Sequence, residues 1–378
     1  MNLQRTLFRA LLALSLIAVA SCHSKENAPG GVVIGAILPL SGNDASYGLT
    51  ARNAYQIAQD DARQQGRVPL HIVYGDSQFD AGKAGAEYTR LVEQEHAVGF
   101  VEATGSQIAL ELAARAAQDK VPILSAVDST PRLTSHGGDF FFRVIPSDLV
   151  TSRALCDWAM KNGLRSAALV VNQQNGWAVG FKGATLTNYR EQGGQLPDDA
   201  ILTVTNETSD FNSGIARLNR NKPQVWFVGL MGRQAGLFVQ QAAAQGIKGP
   251  FIAVDNLVDP VFVAAAGAEQ TATRFALPAA ANLSELAAFS AKYQQRFNRL
   301  PDFHGFEDYD AYFVMLKAVE LVQGSGQPVT GSALQQQLKA MDTQGIMGRI
   351  QFDEHHDLVN PTFGVFTYDG KGNVIPVR

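Results

Sequence analysis

The chain has 378 residues, with 31 Lys or Arg against 35 Asp or Glu, a formal net charge of −4, and 46% hydrophobic residues. That balance excludes a nucleic-acid binder and a broad contact with anionic lipid, because both need a basic surface. The length exceeds what a single core fills and predicts two domains.

Arg5 and Arg9 stand at the head of an apolar stretch, Ala10 to Ala20, that is too short to cross a bilayer and reads as an export signal. It ends in Val19-Ala20-Ser21-Cys22, which resembles the bacterial lipobox. The resemblance implies removal of residues 1–21, diacylation of the Cys22 thiol and anchoring of the mature chain to a membrane. Residues 22–31 (CHSKENAPGG) are polar with Gly and Pro, as a flexible tether would be. Without the signal, 29 basic residues face 35 acidic ones, a net charge of −6. After Cys22 only Cys156 remains, so no intramolecular disulfide can form; in its helical pattern it reads as a small buried apolar residue.

The apolar run Val32 to Leu38, bounded by Pro39, Ser41 and Gly42, predicts a strand buried on both faces of a parallel sheet. Ala51, Ala54, Tyr55, Ala58 and Ala62 then fall at helical spacing, predicting a helix from Tyr47 to Gln64. Strands at Leu70–Tyr74, Val98–Val101 and Val121–Ser125 alternate with helices at Ala81–Glu95 and from Thr104-Gly105-Ser106 to Gln118. This alternation predicts right-handed βαβ units. Phe140–Val144 is one more extended run, and Ile145-Pro146-Ser147-Asp148 reads as a crossing into a second lobe. There the rhythm restarts, with strands at Ala167–Val171, Ile201–Thr205, Val225–Val228 and Phe251–Val254 between helices at Leu149–Asn162, Val179–Gln192, Phe211–Arg220 and Arg233–Gln245. Helices follow at Leu283–Phe297, Tyr309–Val322 and Ser332–Met341, the second apolar nearly all round and so expected to be deeply packed. Ile350–Phe352 and a hairpin-like pair, Phe363–Tyr368 and Val374–Val377, close the chain.

No Walker A, G-x-G-x-x-G, G-x-S-x-G, H-E-x-x-H or C-x-x-C motif occurs, so no enzyme chemistry is expected. The densest cluster, Asp353-Glu354-His355-His356-Asp357, reads as a solvated turn, because a metal site needs ligands from separate elements. What remains is a set of strand-end loops that carry hydroxyls, single aromatics and a few acids. Ala103-Thr104-Gly105-Ser106 and Asp128-Ser129-Thr130-Pro131 can each hold an anion or merely cap a helix. Trp177, after Asn175-Gly176, reads either as a cleft aromatic or as half-buried core. Asp255 follows an apolar strand and suits an ammonium group or a helix cap.

At IGAILPLSGNDASYG, YGDSQFDAGKAGA, VPILSAVDSTPRLT, FRVIPSD, FNSGIARL, FEDYDAYFVMLKAV and GRIQFDEHHDLVNPTFGVF the chain resembles the type I periplasmic binding proteins of the leucine/isoleucine/valine-binding family. The resemblance implies an α/β fold of two Rossmann-like lobes with parallel sheets, joined by a three-stranded hinge. It places residues 32–146 plus 277–346 in lobe one, and 147–276 plus 347–378 in lobe two. By position, Ala103, Thr104, Asp128 and Ser129 would hold a ligand carboxylate, Asp255 its amino group, and Tyr47, Trp177, Met231 and Phe306 its side chain. Asp128 stands where the family has a small neutral residue, and Glu102 adds a second acid. These departures point to an amide, a cationic amino acid or a related compound rather than a simple branched-chain amino acid. The implied function is capture of a small ligand outside the cytoplasm, in the periplasm or at the cell surface, by a monomer that passes it to an ABC permease. No cofactor, metal or enzymatic step is implied. A regulatory lipoprotein of the same fold that contacts a periplasmic enzyme or senses a ligand is the alternative; a polar interlobe site favours the transporter reading.

Overall fold

The structure, a computed structural model, describes residues 31–42, 45–279 and 282–377. The export signal and Cys22 lie outside the described residues. The first sheet holds β1 (Val33–Leu38), β2 (His71–Asp76), β3 (Phe100–Glu102), β4 (Ile123–Ser125) and β5 (Phe141–Arg143). All are parallel, in the order β2-β1-β3-β4-β5. Helices α1 (Ala45–Gln64), α2 (Ala81–Glu93), α3 (Ser106–Asp119) and the short α4 (Pro131–His136) form its crossovers. Burial of Ile34, Ala36, Ile37 and Leu38 under helices on both faces explains the unbroken apolar run of β1.

Helix α5 (Asp148–Lys161) opens the second sheet, built from β6 (Ala167–Asn172), β7 (Ile201–Val204), β8 (Val225–Gly229), β9 (Phe251–Ala253) and β10 (Thr273–Pro278). These five are parallel in the order β10-β9-β8-β6-β7. Between them run α6 (Gly176–Glu191), α7 (Asn212–Asn219), α8 (Gly232–Ala244) and α9 (Pro260–Ala266). The chain then returns to the first lobe through α10 (Leu283–Phe297), α11 (His304–Gly324) and α12 (Gly331–Lys339). Helix α11 lies along α1 and buries Ala311, Tyr312, Val314, Met315, Leu316, Ala318 and Val319, which explains why its sequence is apolar on every side. A hairpin of β11 (Asp342–Gly345) and β12 (Gly348–Gln351) follows, and β13 (Phe363–Tyr368) and β14 (Val374–Pro376) finish the second sheet as an antiparallel edge.

Residues 277 and 278, expected in lobe one, end β10 in the second sheet, where Leu277 pairs with Gly364. Of residues 347–358, expected in lobe two, Ile350, Phe352 and Leu358 pack in the first core, whereas Met347 packs in the core under the second sheet. Arg143, completely buried, fastens this segment: its guanidinium donates to both Asp357 oxygens at 2.5 and 2.9 Å, to Thr134 Oγ1 at 2.7 Å, and to the carbonyls of Asp128 and Thr130. His356 stacks on Phe142, with ring centroids 4.1 Å apart. The residues of the Asp353–Asp357 cluster therefore diverge into separate structural roles. Strand β10 and helix α9 were not predicted, because a three-residue apolar run and a seven-residue helix carry too little periodicity. Cys156 is fully buried, as expected.

Candidate functional site

Both parallel sheets reverse their strand order once, between β1 and β3 and between β6 and β8. In open α/β sheets the crevice outside the carboxyl ends at such a reversal is where ligands bind. Each expected site residue but Phe306 follows the carboxyl end of a strand: Tyr47 after β1, Ala103 and Thr104 after β3, Asp128 and Ser129 after β4, Trp177 after β6, Met231 after β8 and Asp255 after β9.

The two sets of loops touch. The Asp148 N–H donates to the Ser129 carbonyl at 2.8 Å, and Trp177 Nε1 donates to Asp148 Oδ1 at 3.4 Å. A methyl placed on Gly176 would stand 3.2 Å from Gln107 Cβ, so the start of α6 rests on the start of α3. On the opposite side the Phe303 N–H donates to the Val258 carbonyl at 3.1 Å, and the rings of Tyr47 and His304 lie 6.2 Å apart. Contacts thus join the two lobes on both sides of the crevice.

Donors that a ligand carboxylate would need are engaged by the chain itself. Thr104 donates its N–H and its hydroxyl to Glu102 Oε2, at 3.0 and 2.5 Å. The Ala103 N–H donates to the Ile37 carbonyl, and the Asp128 N–H to Ser125 Oγ. Ser129 bonds to the Asp148 carboxylate. Gly105 makes the turn into α3 with φ +98, where a Cβ would stand 2.8 Å from the Phe79 ring.

Acids, in contrast, gather there, and Arg143, whose charge bears on Asp128 and Asp148, is itself paired with Asp357. Glu102, Asp128 and Asp148 are each at most 1% exposed, and no Lys or Arg among the described residues pairs with them or with Asp255. Burial, then the neighbouring Glu102, holds the Asp128 carboxyl well above the usual range. Glu102 Oε1 and Asp128 Oδ1 are both buried without a hydrogen-bond partner among the described residues. Ser125 Oγ donates to the other Asp128 oxygen at 2.7 Å. Burial pushes Asp148 up to about 6 and Asp255 up to about 7, and the charges of Glu307 and Asp148 add to the shift at Asp255. Asp148 Oδ2 has no partner.

His304 and Glu307, on the first turn of α11, stand beside Asp255, and His304 Nδ1 lies 3.0 Å from Glu307 Oε2. Neither residue was picked out from the sequence, and nor was Asp148 as a lining residue. Their helical and capping patterns are ordinary, and only the return of the chain brings them to Asp255. Phe306 packs with Phe289 and Phe303 at ring separations of 5.4 and 6.2 Å, and Met231 is half-buried at the head of α8. A groove of about 560 Å³ lies along the rim of the cleft between α3, α4 and α6, lined by Ser106, Gln107, Thr130, Arg132, Gly176 and Val179 among others. It contains none of the nine expected ligand residues.

Residues 31–373 match the family described as periplasmic binding protein. An amino acid binding protein of Pseudomonas aeruginosa is 22% identical over 98% of this chain and 98% of its own length. The Leu/Ile/Val-binding protein BraC3 of Rhizobium johnstonii is 23% identical over 95% and 97%. Among solved structures, the leucine binding protein LivK of Thermotoga maritima superposes with a TM-score of 0.80 at 22% identity, over 92% of this chain and 98% of that one. A solute binding protein of Rhodopseudomonas palustris in complex with benzoate gives 0.79 at 21% identity, over 92% and 96%.

Proposed function

The chain belongs to the periplasmic binding protein family, whose members work outside the cytoplasm as binding proteins rather than enzymes, and from that premise we propose that it captures a small amine- or amidine-bearing metabolite between its lobes. The ligand class includes cationic amino acids and their amides. Residues 32–146 with 282–358 form lobe one and residues 147–279 with 362–377 form lobe two. Delivery to an ABC permease and anchoring through Cys22 complete the reading.

One observation carries it: acids from both lobes converge on the cleft, no Lys or Arg among the described residues forms an ion pair with them, and the one cation whose charge is felt at Asp128 and Asp148, Arg143, is itself paired with Asp357, while the Thr104 and Asp128 donors a carboxylate would use are already taken. Unpaired carboxylates are costly away from water, so this cleft is stabilised by a ligand that brings positive charge and several donors. Tyr47, Trp177 and Phe306 supply aromatic walls on which such a cation rests. Because this lining is polar, it favours a transport receptor over a regulatory protein that contacts another enzyme.

A thermal-shift screen of the purified protein, in a chelator, tests the reading. Binding to the folded state alone raises the melting temperature as ln(1 + [L]/Kd). Basic amino acids, their amides and diamines should raise it; leucine and benzoate should not. A response confined to simple carboxylates would overturn the reading.

A further inference from the structure

We propose that Asp255, His304 and Glu307 together hold a divalent transition-metal cation, Zn²⁺ by preference, across the interface of the two lobes. The ligand-capable atoms of these three side chains all lie within 4.8 Å of one another. In a tetrahedral shell with bonds of about 2.0–2.1 Å, neighbouring ligand atoms stand roughly 3.3 Å apart. His304 Nδ1 and Glu307 Oε2 are already 3.0 Å apart, held on one face of α11 by their three-residue spacing. Asp255 arrives from the other lobe at the end of β9, so modest side-chain rotation closes the set.

The surroundings ask for such an ion. Asp148, 1% exposed, leaves Oδ2 without a hydrogen-bond partner among the described residues. Two carboxylates balance the charge of a divalent ion, and the imidazole nitrogen selects Zn²⁺ over Mg²⁺ and Ca²⁺, which prefer all-oxygen shells. Three protein ligands leave a coordination position open toward the cleft, where a polar group of the bound metabolite or a water would sit. The inference shares Asp255 with the ligand site proposed above and rests on that reading for the approach of the metabolite. The ion itself is a separate claim.

Calorimetric titration of Zn²⁺, Mn²⁺, Mg²⁺ and Ca²⁺ into the chelator-treated protein tests it. The expected result is one saturable Zn²⁺ site, with Mg²⁺ and Ca²⁺ much weaker. His304→Ala and Glu307→Gln should each weaken Zn²⁺ by at least about 100-fold, beyond the ~10–100-fold that losing an outer partner costs. His355→Ala, at an exposed histidine far along the chain, should leave it unchanged. Circular dichroism and melting in chelator show whether each variant is folded, and Glu307→Gln keeps the side-chain shape should His304→Ala fail. No saturable Zn²⁺ site, or one that survives both cleft variants, means an adventitious ion only and overturns the proposal. Organic cations titrated in chelator report on the ligand reading independently, so either claim can fall while the other stands.

Discussion

Thr104 gives both its backbone N–H and its hydroxyl to a single oxygen of Glu102, at 3.0 and 2.5 Å. A loop whose donors would otherwise cradle an anion is thereby turned inward, and the face left to the cleft is one of acceptors. Burial, then the neighbouring Glu102, raises the Asp128 carboxyl well above the usual range, so that it keeps its proton. The cleft is negative because its donors satisfy the protein's own acids.

Asp128→Asn isolates that proton. The new amide is neutral, as the protonated acid is, and still accepts from Ser125, so stability at pH 5 should be nearly unchanged. The folded-state Asp128 is raised above its ordinary value, so its contribution is complete at low pH and is lost as pH rises through the raised value. Urea midpoints at pH 5 and pH 8 check this: the variant should match the natural protein at pH 5 and exceed it at pH 8.

The same sign holds for three further buried acids. Asp148 at about 6, Asp255 at about 7 and Asp310 at about 7 are all raised by burial. Groups raised in the folded state stabilise it below about pH 4 and lose that contribution as pH climbs through 6 to 7. The melting temperature should therefore fall between pH 5 and pH 8, and a saturating cationic ligand should flatten the fall. A melting temperature that rises over this window would contradict the burial of these acids.

Asp357→Ala removes the carboxylate that, among the described residues, forms the ion pair with the completely buried Arg143 guanidinium. Breaking a buried pair from one side costs about 3–5 kcal/mol. The loss should appear as a lower denaturant midpoint with unchanged m-value, because the native fold is kept while the loop from Asp128 to Thr130 loosens.

How much of this was legible in the sequence follows from what each feature depends on. Unbroken apolar runs such as Val33–Leu38 and Val225–Gly229 announce buried parallel strands, and the loops after them had to reach one crevice. That is why Tyr47, Trp177 and Asp255, each following a strand's carboxyl end, were expected at the crevice. The expected carboxylate grip at Thr104 was not readable, because it turns on the side-chain direction of Glu102 two residues earlier. His304 and Glu307 were invisible as a pair with Asp255, since about 50 residues separate them in sequence and only α11 returning to α1 joins them. The pairing of Leu277 with Gly364 and the packing of Ile350 and Phe352 in the first core were not legible, because β10 carries only a three-residue apolar run and the β11–β12 hairpin is short and partly polar.

Cys22→Ala should leave folding and ligand binding intact and release the protein from the membrane, because two acyl chains give stable anchoring where one gives only marginal binding. Fractionation of cells that express each form checks it; retention of the variant in the membrane fraction would contradict the lipid anchor.

Recognition of positive charge by Asp255 is the central claim. A charge-assisted hydrogen bond contributes about 1.5–3 kcal/mol, so Asp255→Asn should weaken an amine-bearing ligand by roughly 10- to 150-fold. Titration calorimetry of the ligand and its des-amino analogue, on the natural protein and the variant in chelator, measures this directly. The account predicts a large loss for the amine and almost none for the analogue. Equal losses for both, or no loss for either, would contradict it and reduce Asp255 to a residue that shapes the turn after β9.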